Sequence, residues 1–108
     1  MTLALPVPIS AYFAAKNARD VDGMVAPFAD DAGVRDEAHE YHGRAAIHAW
    51  MRETTGKYAV TAEPLAVAAA GNKAIVSARV SGTFPGSPVM LDYAFTLADE
   101  RIARLEIG

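Results

Sequence analysis

A chain of 108 residues, 52% hydrophobic, with 10 basic against 13 acidic residues and a net charge of −3, has the size and composition of one globular domain spanning 1–108. It carries no basic cluster for nucleic acid, no cysteine for disulfide or thiol chemistry, and no uninterrupted apolar run long enough to span a membrane. Pro6 and Pro8 interrupt the apolar N-terminal stretch and no basic region precedes it, so no signal peptide is expected and a cytoplasmic protein is the default.

Pro6 and Pro8 suit the first turn of a helix, where a missing N–H costs nothing. Ile9, Tyr12, Phe13 and Lys16 follow at the spacing of one helical face. Lys16 is the odd member: it either snorkels to the rim or meets an anionic ligand. Asn17 to Asp20 breaks the pattern. Asp20 is a good N-cap for a shorter helix with Val21, Met24, Val25 and Phe28 as its buried side, ending near Pro27. The stretch Phe28 to Glu37 reads as a helix end, an acidic turn and a strand. Alternation along that strand places Ala32, Val34 and Asp36 on one face. An acid on an apolar wall is how a general base is made when the wall lines a pocket; the alternative is a solvated strand end paired with Arg35 or Arg44.

Glu37 to His42 is polar and reads as a hairpin or a brief second strand. Gly43-Arg44 opens a third helix to about Thr55, with Ala46, Ile47, Trp50 and Met51 as its apolar stripe and Gly56 as its stop. Arg44, His48, Arg52 and Glu53 take its wet side. From Lys57 the pattern changes to that of strands. Strands are expected near 57–70, with a bulge at Pro64, and near 73–84, 88–98 and 101–107. Helices first and antiparallel strands after argue an α+β fold, with helices on one face of the sheet. Apolar side chains on both faces of the later strands predict a homodimer through the outer face.

The order Tyr12, Ala15, Asn17, then Asp20-Val21, then Phe28-Ala29-Asp30-Asp31-Ala32, then Gly43-Arg44 before Ile47 resembles the nuclear transport factor 2-like superfamily, which includes the SnoaL-like polyketide cyclases and ketosteroid isomerase. The resemblance covers nearly the whole chain. It implies a cone-shaped, cystatin-like domain in which a curved, mostly antiparallel sheet wraps three helices around an apolar pocket. Tyr12 matches the helix-one tyrosine that donates to the oxyanion in ketosteroid isomerase. Asp36 matches its proton-shuttling base. The isomerase's late-strand donor falls at Tyr93, with Ala94 or Phe95 as alternatives, while Asp92 points the other way. Glu37 stands where the isomerase has a proline. The implied pocket is lined by Tyr93, His39, Trp50, Met51, Phe13, Phe28, Val34 and Phe95.

From the residues alone, Tyr12 is as readily a plain core aromatic as an oxyanion donor, and Tyr93 is core or pocket wall before it is a catalytic group. His39 and His42 can gate the mouth or pair with the acid, with His42 the better surface residue. His39, His42, Glu40 and Asp36 match no metal-ligand spacing, so neither a metal nor a cofactor is expected. Two functions follow. One is an isomerase, cyclase or dehydratase acting on a small apolar carbonyl compound, with Asp36 as base and Tyr12 as donor. The other is a non-catalytic small-molecule-binding or dimerising domain. In the first, burial should raise the Asp36 pKa and a Tyr12 hydrogen bond should offset it.

Overall fold

The computed structural model describes residues 4–108, so the first three residues of the expected domain lie outside the described part. Three helices, α1 (Val7–Asn17), α2 (Val21–Val25) and α3 (Arg44–Tyr58), pack against a six-stranded sheet. The strands are β1 (Phe28–Asp36), β2 (His39–His42), β3 (Thr61–Ala70), β4 (Lys73–Ser81), β5 (Val89–Ala98) and β6 (Arg101–Ile107). Their order is β2-β1-β6-β5-β4-β3, in a curved sheet that does not close. All neighbours are antiparallel except β1 and β6, which run parallel. The α+β architecture is the one expected.

Local chemistry accounts for most boundaries. Pro6 caps α1, and the Asp20 carboxylate accepts from Gly23 N–H at 3.0 Å to start α2. Pro64 forces the expected bulge, with the β3–β4 register shifting between Pro64 and Ala66. Two boundaries differ from expectation. Gly56 does not stop α3, which runs on to Tyr58 and ends at Ala59 in the left-handed region, φ 44°. An exposed helical glycine costs only about 1 kcal/mol, too little to end a helix held by packing. The Asp30-Asp31 stretch is not a turn but part of β1, with Phe28 at its start rather than on α2. Phe28 pairs with Ile102 across the parallel ladder, whose register shifts before Gly33, so the acidic pair sits in an irregular strand.

The core lies between the helices and the inner sheet face. Ile9, Tyr12 and Phe13 come from α1, Ile47 and Met51 from α3, and Val34, Val76, Tyr93, Phe95 and Leu105 from the sheet. Alternation is clean in β4, where Ala74, Val76, Ala78 and Val80 are buried. On the outer face Ile75 and Met90 stand about half exposed. Toward β6 and β2 that face turns charged, with Arg104 bonding Glu40 at 2.8 Å and Glu106 at 3.5 Å.

Candidate functional site

Register places the acid. Asp36 ends β1 and pairs with Ile107, which pairs in turn with Tyr93. Directly opposed residues share a face, so Asp36 and Tyr93 lie in one row of the inner surface with Ile107 between them. Helix α1 covers this row. Tyr12 and Lys16, one turn apart, are on the same side of it. The Tyr12 and Tyr93 rings are 6.3 Å apart, and Lys16 Nζ lies 6.0 Å from the Tyr12 ring centroid. Asp36, Tyr93, Tyr12 and Lys16 thus gather in one region between α1 and the sheet.

Their environments differ. Tyr12 and Tyr93 are buried, while Asp36 and Lys16 are half-buried. Burial pushes both tyrosines well above the ordinary phenol value; Tyr93 and then Asp36 add to this for Tyr12, and Asp36 for Tyr93. Both hydroxyls therefore stay protonated and can act as donors, not as bases. Neither has a hydrogen-bond partner among the described residues.

Burial also raises the carboxyl of Asp36, and the charge of Glu37 adds to it. Three groups oppose the rise: the Lys16 ammonium, the Glu37 backbone N–H and His39. The expected offset therefore exists, but it does not come from a Tyr12 hydrogen bond. The Glu37 N–H is available because Glu37 and Ala38 form a two-residue turn, both at positive φ (50° and 65°), which folds the chain back over Asp36. Burial lowers the Lys16 ammonium, and Asp36 acts against that.

The other assigned residues separate into groups. Phe13, Phe28 and Phe95 pack edge-on around the Tyr12 ring at 5.2, 5.9 and 5.7 Å. With Val34 and Met51 they belong to the closed core. His39 is exposed but opposes Asp36 across the hairpin. Trp50 is half-buried and stacks on Tyr41 at 5.2 Å. Tyr41 opposes Val34, and the Asp36 charge reaches it, so it belongs to the site wall although the polar hairpin gave little sign of it. Asp92 lies on the outer face, accepting from Ser77 Oγ at 2.9 Å, and Ala94 faces the same way. The late-strand inner positions are Tyr93 and Phe95.

Glu40 and His42 oppose Arg35 and Gly33, whereas His39 opposes Asp36. The four residues that could be drawn as a metal set are thus split between two faces. Among the described residues no group of three or more His, Cys, Asp or Glu could hold a metal ion. No helix there is long and apolar enough to cross a membrane. Two surface clefts, of about 340 and 400 Å³, lie elsewhere, one around Asn17, Glu63 and Arg79 and one around Asp22, Arg44 and His48.

Sequence reasoning left two residues of α1 unexplained. Lys16 breaks the apolar stripe where α1 comes within reach of the Asp36 charge. Asn17 breaks it because its side chain works as a strand. Its Oδ1 accepts from Ala62 N–H at 2.7 Å and its Nδ2 donates to Ala62 C=O at 2.8 Å. This pins the end of α1, and so Lys16, to the sheet edge.

Comparison with known proteins identifies the family and its fold. The family model for the SnoaL-like domain matches residues 9–105. A Sinorhizobium meliloti protein provisionally called a polyketide cyclase is 46% identical, with 96% of this chain and 95% of that one covered and a TM-score of 0.93. A Catenulispora acidiphila protein with a ketosteroid isomerase-like fold, solved with trimethylamine, is 20% identical over 97% and 86% of the two chains, TM-score 0.85. The epoxide hydrolase/cyclase-like enzyme SalBIII, which has a role in pyran ring formation in salinomycin, is 23% identical over 94% and 86%, TM-score 0.79. No curated protein matches. The family match over most of the chain and the 46% identical relative place this protein in the SnoaL-like family of the nuclear transport factor 2-like superfamily.

Proposed function

We propose that the protein is a cofactor-free acid–base enzyme of polyketide cyclase or ketosteroid isomerase type, acting next to a carbonyl of a small, largely apolar molecule. One observation carries this reading: a half-buried carboxylate, Asp36, shares an inner-face row with the buried Tyr93 and is covered by the buried Tyr12. Asp36 takes a proton from the carbon beside the carbonyl. The electron pair moves onto the carbonyl oxygen, and a tyrosine hydroxyl donates to the enolate so formed. Asp36 then returns the proton to another carbon, or the carbanion closes a ring. Base and donors are not bonded to one another, so they are free to engage opposite ends of the substrate. The apolar rings of Phe13, Phe28 and Phe95 lower the local dielectric behind the donors, which strengthens their bonds.

The test uses an activated enone or β-diketone. Asp36→Asn keeps the shape and removes the base; it should abolish turnover with ligand affinity nearly unchanged. Tyr12→Phe removes one donor and should slow the reaction by roughly 10²–10³ without stopping it. If Asp36→Asn keeps activity while Tyr12→Phe loses it, the assignment of the base is wrong. If the unaltered protein turns over no carbonyl compound, a ligand-binding role takes its place. A second copy of the chain is proposed to cover Ile75 and Met90 on the outer face, since water is a poor solvent for both.

A further inference from the structure

Lys16 has an unusual position for a lysine. It follows Tyr12 by one helical turn on the core-facing side of α1, where the neighbouring stripe residues are Ile9, Tyr12 and Phe13. Its stem is enclosed and its Nζ sits 6.0 Å from the Tyr12 ring centroid. The next residue, Asn17, cannot serve it, because both ends of that amide are committed to Ala62. Among the described residues the Lys16 ammonium makes no ion pair or hydrogen bond. The charged and titratable groups that face it are Asp36 from β1 and Tyr12 from its own helix, with Tyr93 beyond Tyr12, and Glu37 in the turn and His39 at the start of β2 behind Asp36.

A purely apolar ligand entering here would strip water from the ammonium and give nothing in return, an unfavourable exchange for a charged group. A ligand oxygen that carries charge would instead complete the site. It would sit between Lys16 and the tyrosine hydroxyls, on the side of the ligand away from the carbon that Asp36 deprotonates. Resting on the acid–base reading above, we infer that Lys16 is a specificity-determining residue of this site and selects an otherwise apolar β-dicarbonyl compound, which enters as the neutral carbon acid and is held as its enolate once Asp36 has taken the proton. The proton balance is closed: the carbon acid's proton goes to the Asp36 carboxylate, its electron pair to the enolate oxygen, and Lys16 remains an ammonium throughout.

Dimedone, an acidic cyclic β-diketone that is ionised at neutral pH, and its neutral O-methyl enol ether separate charge from shape. Binding of both is measured by titration calorimetry to the full-length Asp36→Asn protein, whose amide stands for the protonated carboxyl. The enolate should bind at least about tenfold tighter than the ether, the preference expected of one ion pair in a partly enclosed site. Lys16→Met or, should that protein fold poorly by circular dichroism, Lys16→Gln in the same background should erase the preference, and Lys16→Arg should keep part of it. Equal binding of the two probes, a preference that survives loss of Lys16, or no binding of either at millimolar concentration overturns the inference. None of these outcomes depends on turnover, so a failed Lys16 assignment and a failed Asp36 assignment are told apart.

Discussion

The side chain of Asn17 offers the sharpest stability test. β3 is an edge strand, so the N–H and C=O of Ala62 that point away from β4 would face water or nothing. The Asn17 amide satisfies both, at 2.7 and 2.8 Å, from a helix that ends there. Asn17→Ala removes both bonds at once. At a net value of about 1 kcal/mol per bond, the loss is about 2 kcal/mol, falling toward 1 if water reaches the freed groups. For a chain of this length a loss of about 2 kcal/mol lowers the melting temperature by roughly 9 °C. Urea denaturation with an unchanged m-value, together with calorimetry, reads both quantities. Asn17→Asp adds a discriminating arm. Ionised, it turns a carboxylate oxygen on the Ala62 carbonyl; protonated, it regains a donor and an acceptor. Its deficit relative to the parent should therefore shrink as pH falls. A cost below about 0.5 kcal/mol for Asn17→Ala, within the range of ordinary surface changes, would refute the account.

Three further outcomes are expected. Burial raises the folded-state pKa of Asp36 above its ordinary value of 3.8, so ionising it costs stability as pH rises through that value toward the folded pKa. Asp36→Asn should thus melt higher than the parent at neutral pH, with the gain vanishing below pH 3.8; an Asn protein less stable at neutral pH would contradict this. Gly56 lies inside α3 at a point where an added Cβ meets nothing within 4 Å, so Gly56→Ala should stabilise by about 1 kcal/mol in denaturant titrations. If a second copy covers the outer face, the parent should sediment as a dimer at micromolar concentration and Ile75→Lys as a monomer; a monomeric parent removes the dimer.

Much of the fold was legible because period carries it. The change from helical spacing to alternation at Lys57 and the run Val89, Leu91, Tyr93, Phe95, Leu97 identify the later strands without reference to tertiary contacts. What remained hidden depends on partners distant in sequence. Phe28 is in a strand because Ile102 pairs with it, and Ile102 N–H reaches Pro27 C=O at 2.8 Å. Asn17 looked like a break in a helix, and only Ala62 shows why it is there. Lys16 was visible as an anomaly, but its meaning needed Asp36 on the facing strand. The acid itself was legible, since alternation with Ala32 and Val34 fixes its face. The extent to which the helices and aromatic rings enclose it was not.

The position of β6 also bears on when the site can exist. β6 lies in the middle of the sheet, with β1 on one side and β5 on the other. Before it inserts, the sheet consists of two separate pieces, β2-β1 and β5-β4-β3, each with an unpaired edge. Asp36 belongs to the first piece and Tyr93 to the second, and Ile107 alone joins them in register. Pairing residues 33–36 with 104–107 closes a long loop, so this step is expected to come late and to govern the folding rate. No folding intermediate that lacks β6 can bring the acid to the phenol. Gain of activity on refolding should therefore track docking of this strand, and the two open edges left until then are where aggregation would begin.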